Sequence, residues 1–365
     1  MAQKRYLAPW ARAAAATREV APDRAGREVL EALEGKPALY HCVSRVVDRT
    51  FRLGPPEKER FVSMMRTWEA FCQVRVLTFC VMSNHFHILV EVPERPAADP
   101  TDGELLDHLS ILYRGQHLAQ IRWELEHHRK QGNQEAAEAL RQRFLRRMWD
   151  LSAFMKALKQ DFSTWFNQRH ERKGHLWEER FKSVLVEDGH AARVVAAYID
   201  LNPVRAGMVR MPEDYRWGGF GEAVAGKPRA RRGLRQVMLE RELARAGVEV
   251  ALHEVADWRK AEASYRMILQ TDASRPPPRG KAGRGRVAEG QLVRKRVRYF
   301  VDGWVIGSAS FVDGVFELTR GRFGARRASG ARRIVGADTP LRSMRALRIL
   351  PRGGPGGREL PVVSP

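Results

Sequence analysis

The chain has 365 residues and 44% hydrophobic content, which is enough for a sizeable core and for two or three domains. Its 64 Lys plus Arg against 43 Asp plus Glu give a net charge of +21, and this excess predicts a polyanionic partner. No apolar run approaches the roughly 18 residues of a membrane-spanning helix, and the N-terminus lacks the apolar core of a signal peptide. We therefore expect no membrane association, and a cytoplasmic protein, associated with the nucleoid, that binds nucleic acid.

The first part of the chain predicts an α+β fold with an antiparallel sheet. Residues 1–36 have no clear apolar period and are expected to form an N-terminal arm. A first strand is predicted over 38–47, and Pro55-Pro56 opens a helix that runs through Phe71. Two further strands, 73–81 and 86–93, are joined tightly at Ser83-Asn84. The order strand, helix, strand, strand is typical of an α+β sandwich.

The third predicted strand carries the triplet His85-Phe86-His87. Because side chains alternate across a strand, the two imidazoles share one face and Phe86 points into the core on the other. One shared face of two imidazoles is able to hold a metal ion, whereas two ordinary solvent-facing histidines fit the triplet equally well. The cysteines Cys42, Cys72 and Cys80 lack metal-finger spacing and are expected to be reduced and mostly buried.

The middle of the chain is helical and heavily charged. Residues 97–150 have the pattern of an insertion that lengthens a helical hairpin, with its turn at 128–136. The segment Leu151 to Asn167 is predicted to be a helix with Lys156 and Lys159 on its solvent side. A strand at 181–187 and a helix from His190 to Asn202 follow, and Pro203 ends that helix.

The C-terminal third is predicted to contain a boundary and a basic extension. Residues 221–290 are interpreted as a helical segment followed by a linker, because 271–290 are rich in Pro and Gly without an apolar period. The aromatic residues between 297 and 316 favour a small folded module within 291–365. The last 95 residues hold 20 Lys plus Arg against 7 Asp plus Glu, so this end is expected to contact phosphates or to be a solvated basic tail.

Tyr198 and Asn202 lie four residues apart on the predicted helix and therefore share a helical face. If that face covers the histidine strand, a phenol and an amide oxygen meet two imidazoles. A phenol is a weak nucleophile at neutral pH, and a divalent ion can polarise the phosphate that it attacks. A buried helix aromatic without a catalytic role is the alternative for Tyr198.

Three segments carry a family resemblance: Val81 to Val90, Arg172 to Lys182, and Tyr198 to Gly207. Together, and in this order, they closely resemble the single-tyrosine HUH transposases, in particular the REP-associated tyrosine transposases. The resemblance covers about residues 38–220, so we take 37–220 as the catalytic domain. It implies a ferredoxin-like or RRM-like antiparallel sheet with helices on one face, the HUH pair on a central strand and the tyrosine on a following mobile helix.

By this resemblance His85 and His87 are metal ligands, Tyr198 is the nucleophile and Asn202 is the third ligand. Family members usually carry Gln at the position of Asn202. The implied reaction is transesterification on single-stranded or hairpin DNA through a 5′-phosphotyrosine link, assisted by Mg²⁺ or Mn²⁺. By ligand softness two imidazoles also suit Zn²⁺.

Several basic residues are expected to contact DNA phosphates, and Gly189 is expected either to act as a hinge or to form an ordinary turn. The expected phosphate contacts are Lys156, Lys159, Arg172, Arg180, Lys182 and Arg205.

Two other functions fit the residues. One is a nucleic-acid-binding regulator without catalysis, and the other is a metal-dependent phosphohydrolase in which Glu91, on the same strand face as His87, supplies an acidic ligand. Monomer and homodimer are both compatible with the sequence.

Overall fold

The computed structural model describes residues 36–238, 258–270, 287–288, 299–320, 323, 326–334 and 337–345. The predicted arm over 1–36 lies almost entirely outside the described residues, as do most of the 271–290 linker and the tail beyond 345.

The core of the fold is a four-stranded antiparallel sheet with a βαββαβ chain path. Its strands are β1 (Ala38–Arg45), β2 (Arg75–Val81), β3 (His85–Val92) and β4 (Lys182–Val186), in the spatial order β2-β3-β1-β4. Helix α1 (Pro55–Phe71) connects β1 to β2, and α5 (Leu151–Arg169) precedes β4. This order and direction confirm the α+β class and the ferredoxin-like sheet.

The first face of the sheet packs against α1 and α5. Phe86 of β3 lies 4.7 Å from Phe61 of α1, and Phe61 lies 5.1 Å from Phe162 of α5, measured between ring centroids. Trp177, from the loop before β4, contacts the same rings. These aromatic residues form the main core, because period-2 alternation on β3 directs Phe86 and Ile88 to this side.

Three helices lie between β3 and α5, where the sequence predicts the insertion: α2 (Asp102–Leu109), α3 (Gln116–Lys130) and α4 (Gln134–Leu145). Thr101 and Asn133 accept backbone N–H groups at the starts of α2 and α4, as N-cap residues do. The turn between α3 and α4 falls at 131–133, within the predicted polar stretch.

The second face of the sheet is also covered by helices, so the expectation of helices on one face is too narrow. The covering helices are α6 (His190–Asp200), the short α7 (Asn202–Arg205), α8 (Gly219–Val224), α9 (Pro228–Met238) and α10 (Trp258–Gln270). They form a second hydrophobic cluster with the opposite side of β1 and β3. This covering buries most of the face that carries the histidines.

The C-terminal segment extends the same sheet. After the two-residue strand β5 (Val287–Ala288), its elements are α11 (Tyr299–Asp302), β6 (Val305–Gly307), α12 (Ala309–Leu318), β7 (Arg332–Arg333), β8 (Ala337–Asp338) and β9 (Arg342–Ser343). Strand β6 pairs in parallel with β4, and the sheet continues through β9 to β7. The described part of 291–365 is therefore continuous with the sheet formed by β1 to β4.

The three cysteines are buried thiols that form no disulfide, as expected. Burial raises the pKa of Cys72 to about 12, so its thiol stays protonated and unreactive at neutral pH. No helix within the described ranges is long and apolar enough to cross a membrane.

Candidate active site

The triplet begins β3 directly after a two-residue hairpin. The N–H of Met82 donates to the carbonyl of His85 at 2.8 Å, which closes the turn over Ser83 and Asn84. His85 then lies opposite Arg45 and His87 opposite Val43 on β1. The two imidazoles lie on the face that α6 covers, with ring centroids 5.0 Å apart and ring planes nearly perpendicular. The predicted shared face is present in the structure.

A third histidine, His41 of β1, lies beside the pair and was not expected from the sequence. His87 is opposite Val43, so His41 occupies the diagonal position two residues along the same face. His41 Nε2 lies 2.9 Å from His87 Nδ1, and the two rings stack with centroids 5.1 Å apart. Strand alternation places His41 on the same face of β1 as Leu39 and Val43, and this could have been predicted. Its contact with His87 could not, because the local sequence does not determine the register between β1 and β3.

The three histidines differ strongly in exposure. His41 is fully buried and His87 is 3% exposed, whereas His85 is half-buried. Burial lowers the pKa of His41 to about 4, against a smaller opposing effect of the Phe300 carbonyl. Burial, followed by the nearby charges of His85 and His41, lowers the pKa of His87 well below its usual range. His41 and His87 are therefore neutral imidazoles at neutral pH.

Tyr198 lies directly over this cluster. Its ring stands edge-on to His87 at 6.0 Å and to His41 at 6.1 Å between centroids, and it packs against Phe300 at 4.7 Å. Helix α6 is almost entirely buried, because its small and β-branched residues let it approach the sheet closely. As a result Tyr198 is 2% exposed. Of the two imidazoles that the sequence predicts beside Tyr198, His87 lies next to its ring, and the other neighbouring imidazole is His41 and not His85.

The end of α6 is organised around the carbonyl of Tyr198. The side chain of Asn202 donates to this carbonyl at 3.3 Å and to that of Ile199 at 3.1 Å, and Arg205 donates to the Tyr198 carbonyl at 2.6 Å. The guanidinium carbon of Arg205 lies 4.2 Å from the centroid of the Tyr198 ring. Asn202 thus caps the helix that carries the tyrosine, and Arg205 lies against the phenol ring.

The nitrogen donors of this cluster suit a divalent ion. Nδ1 of His85 lies 2.6 Å from Asn84 Oδ1, and Nδ1 of His87 lies 2.9 Å from His41 Nε2, so in both rings Nδ1 has a partner within the protein. A neutral imidazole with its second nitrogen held by a partner is a common metal-ligand arrangement. Among the described residues no group of three His, Cys, Asp or Glu side chains is arranged to hold a metal ion. A third protein ligand from the described residues would therefore be a different kind of side chain, such as the amide of Asn202.

The residues expected to contact phosphates fall into two groups. Lys156 and Arg180 are exposed. Three others have protein partners: Lys159 donates to the Glu179 carbonyl at 2.8 Å, Arg172 lies over Phe166, and Lys182 pairs with Asp302 at 2.8 Å. Arg205 lies on the tyrosine ring, as described above. A role for these six in DNA binding stays a prediction.

Glu91 lies at the other end of β3 from the triplet. It is fully buried and forms an ion pair with Arg75 of the neighbouring strand. It lies four positions along the strand from His87, which corresponds to about 13 Å. Glu91 is therefore too far along the strand to complete a site with His87, and the phosphohydrolase interpretation loses the acidic ligand on which it depended.

Gly189, the residue before α6, has a φ of +76° and a backbone N–H that donates to Asp188 Oδ1. This left-handed backbone favours glycine and is sufficient to explain the residue as a turn. The expected hinge role is untested.

A comparison with known protein families finds a match in the first part of the sheet. The family model described as "Transposase IS200 like" matches residues 36–101, which contain β1, α1, β2, β3 and the His85-Phe86-His87 triplet. Over this segment the chain is similar to that family, which confirms there the resemblance to the single-tyrosine transposases. No curated protein matches the chain. A solved structure of a REP-associated tyrosine transposase bound to a REP hairpin aligns with 52% of this chain and 80% of its own, at 15% identity and a TM-score of 0.32.

Proposed function

We propose that this protein nicks single-stranded DNA and transfers the strand, with Tyr198 as the nucleophile and His85 and His87 as ligands of a divalent ion. The observation that carries the proposal is the position of Tyr198, whose ring stands edge-on to His87 and His41 at about 6 Å. A tyrosine packed against His87, one of the two proposed ligands, is placed for attack on a phosphodiester beside the metal ion.

The reaction that fits these residues is a transesterification. The phenol oxygen of Tyr198 bonds to the phosphorus and loses its proton, while the bond from phosphorus to the 3′ oxygen breaks and that oxygen takes up a proton. The strand is then joined to the protein through a 5′-phosphotyrosine, and the released 3′-hydroxyl can reverse the reaction or be exchanged for another. Mg²⁺ or Mn²⁺, when bound, would polarise the phosphate and stabilise its developing charge.

Arg205 favours the attacking form of the tyrosine. Its guanidinium carbon lies 4.2 Å from the ring centroid, where a positive charge stabilises the negative charge that develops on the phenol as its proton leaves. Its hydrogen bond to the Tyr198 carbonyl fixes the end of α6 at the same time.

The burial of Tyr198 requires an opening step before DNA can reach it. At 2% exposure, with Phe300 packed against its ring, the phenol is covered by protein. We infer that α6 or the C-terminal segment moves when DNA binds. Such gating steps are common where a site must exclude water until its substrate arrives.

The partner that fits the charge is DNA, because +21 attracts phosphates and a transposase acts on a polynucleotide. We infer that hairpin or repeat DNA is the preferred form and that the protein acts in the cytoplasm, at the nucleoid, as a monomer or a homodimer.

The test is covalent capture. Wild-type protein incubated with Mn²⁺ and single-stranded hairpin DNA from the flanks of its own gene should form an adduct on a denaturing gel, and mass spectrometry should locate the DNA on Tyr198. Tyr198→Phe should lose the adduct and keep DNA binding. Tyr40→Phe is the matched control, since Tyr40 is equally buried but lies on the opposite face of β1.

An adduct that persists in Tyr198→Phe would refute the assignment of the nucleophile. If the wild-type protein binds the DNA but forms no adduct with Mn²⁺, the protein is instead a nucleic-acid-binding regulator without catalysis. The burial of Tyr198 is the observation that supports this second function.

A further inference from the structure

We propose that His41 is a positioning residue, which together with the backbone carbonyl of Phe300 fixes the tautomer of His87 so that its Nε2 carries the lone pair. The proposal deepens the proposed function, since it rests on His87 as a metal ligand. It also gives the C-terminal segment a place in the catalytic centre, 259 residues along the chain from His41.

The first step concerns the outer end of the hydrogen-bond chain. His41 Nδ1 lies 2.6 Å from the carbonyl oxygen of Phe300. A carbonyl oxygen has no proton to give, so Nδ1 of His41 must be the donor. The hydrogen on His41 is thereby placed on Nδ1.

The second step is that His41 carries one proton and no more. Its side chain is fully buried, and its two ring nitrogens meet the Phe300 carbonyl and the His87 ring, neither of which carries a negative charge. A second proton would place a positive charge in the protein interior, which is costly. Since Nδ1 has the hydrogen, Nε2 of His41 is a lone-pair acceptor.

The third step transfers this constraint to His87. His41 Nε2 and His87 Nδ1 are 2.9 Å apart, a hydrogen-bonding distance. Because His41 Nε2 can only accept, His87 Nδ1 must donate. His87 is only 3% exposed, so a second proton would place a charge in the protein interior here too; its single hydrogen therefore lies on Nδ1, and its Nε2 keeps the lone pair that a metal ion requires.

The arrangement performs the task that a carboxylate or carbonyl commonly performs behind a metal-binding histidine. Such outer partners fix the ring orientation and the tautomer, and their loss typically weakens metal affinity by about 10–100-fold. Here an imidazole is interposed between the ligand and the carbonyl. The interposed His41 brings the constraint from α11 across the β1 strand to β3.

The tautomer can be read directly in the metal-free, DNA-free full-length protein. Long-range ¹H–¹⁵N correlation spectra of ¹⁵N-histidine protein distinguish the Nδ1–H from the Nε2–H form of each ring. We expect His87 in the Nδ1–H form in the wild type and a mixture of forms in His41→Leu. The Kd for Mn²⁺, measured by calorimetry, should rise about 10–100-fold in His41→Leu.

Two further variants separate positioning from a general loss of structure. His41→Gln retains an amide donor for Phe300 and a carbonyl acceptor for His87, so it should keep the Nδ1–H form of His87 and most of the Mn²⁺ affinity, even if His41→Leu folds poorly. His175→Leu removes an exposed histidine in the loop before β4 and should change neither readout.

Wild-type His87 in the Nε2–H form would overturn the inference, as would unchanged Mn²⁺ affinity in a folded His41→Leu. Neither outcome depends on DNA cleavage. A failure of covalent capture with the expected tautomer would therefore count against the proposed reaction and not against the role of His41.

Discussion

Asp200 lies two residues beyond the tyrosine on α6 and connects four elements of the fold. Its carboxyl accepts hydrogen bonds from the hydroxyl of Thr78 at 2.8 Å, the hydroxyl of Tyr265 at 2.5 Å and the backbone N–H of Phe220 at 3.2 Å. These donors belong to β2, α10 and α8. Burial nevertheless dominates and raises the pKa of Asp200 from its ordinary value of 3.8 to about 7. The residue that anchors the helix of Tyr198 is therefore sensitive to pH.

This raised pKa predicts a stability that falls as pH increases. The folded protein binds the proton of Asp200 more tightly than the unfolded chain, so the stabilisation is complete below about pH 4 and is lost as pH rises through about 7. The contribution amounts to as much as ~1.4 kcal/mol per pH unit in this window. Asp200→Asn keeps an acceptor for Thr78 and Phe220 and removes the charge, so its free energy of unfolding should depend less on pH.

Urea unfolding at a series of pH values from about 4 to 8 measures this difference. Asp161→Asn serves as the control, because Asp161 is an exposed aspartate of α5 that accepts a hydrogen bond from Trp68. Identical pH dependence in wild type and Asp200→Asn would contradict the assignment of the pH-sensitive group.

At the scale of elements, α9 approaches β2 so closely that a glycine is required between them. A Cβ on Gly233 would lie 2.4 Å from the carbonyl oxygen of Leu77 and 2.8 Å from that of Val76. Both neighbours are backbone atoms of the strand, which cannot rotate away as a side chain can. This contact positions the second layer of helices over the sheet.

Gly233→Ala should therefore destabilise the protein by about 1–3 kcal/mol, the usual cost of overpacking. The matched control is Gly103→Ala on α2, where a Cβ meets nothing within 4 Å. There alanine should be neutral or stabilise by up to about 1 kcal/mol, since glycine is unfavourable inside a helix. Thermal unfolding of the two variants tests the contrast, and equal midpoints would show that α9 adjusts freely over β2.

The sequence was sufficient for those parts of the site that depend on local periodicity. Alternation on β3 placed His85 and His87 on one face, and Pro203 indicated the end of the tyrosine helix within two residues. His41 was missed because its meeting with His87 depends on the register of two strands that are 46 residues apart in sequence. The contact of Phe300 was likewise not predictable, since it depends on a parallel strand pairing after a long connection.

At the scale of the whole molecule, the described part of the basic C-terminal segment belongs to the same sheet as the histidine strand. The last 95 residues carry an excess of 13 positive charges, and their described part joins the sheet through β6 beside β4. Lys182 of β4 bonds to Asp302 of α11, so one expected DNA contact is used between these two parts. The described part of 291–365 thus shares a sheet with β4 and is not separate from it. The predicted domain boundaries stay a prediction.

DNA binding should depend on the exposed charges of the α5 side more than on those of the insertion. The double variant Lys156→Gln/Arg180→Gln removes two exposed positive charges among the expected phosphate contacts. Each lost contact with single-stranded DNA lowers the slope of log K against log salt by about 0.7, so the slope should fall by about 1.4. Arg122→Gln/Lys130→Gln on α3 changes the net charge equally and should leave the slope nearly unchanged.

Fluorescence anisotropy with single-stranded hairpin DNA at several salt concentrations measures both slopes. Equal slopes for the two double variants would mean that the +21 charge acts as a diffuse field, and that no DNA path follows α5 and the loop before β4.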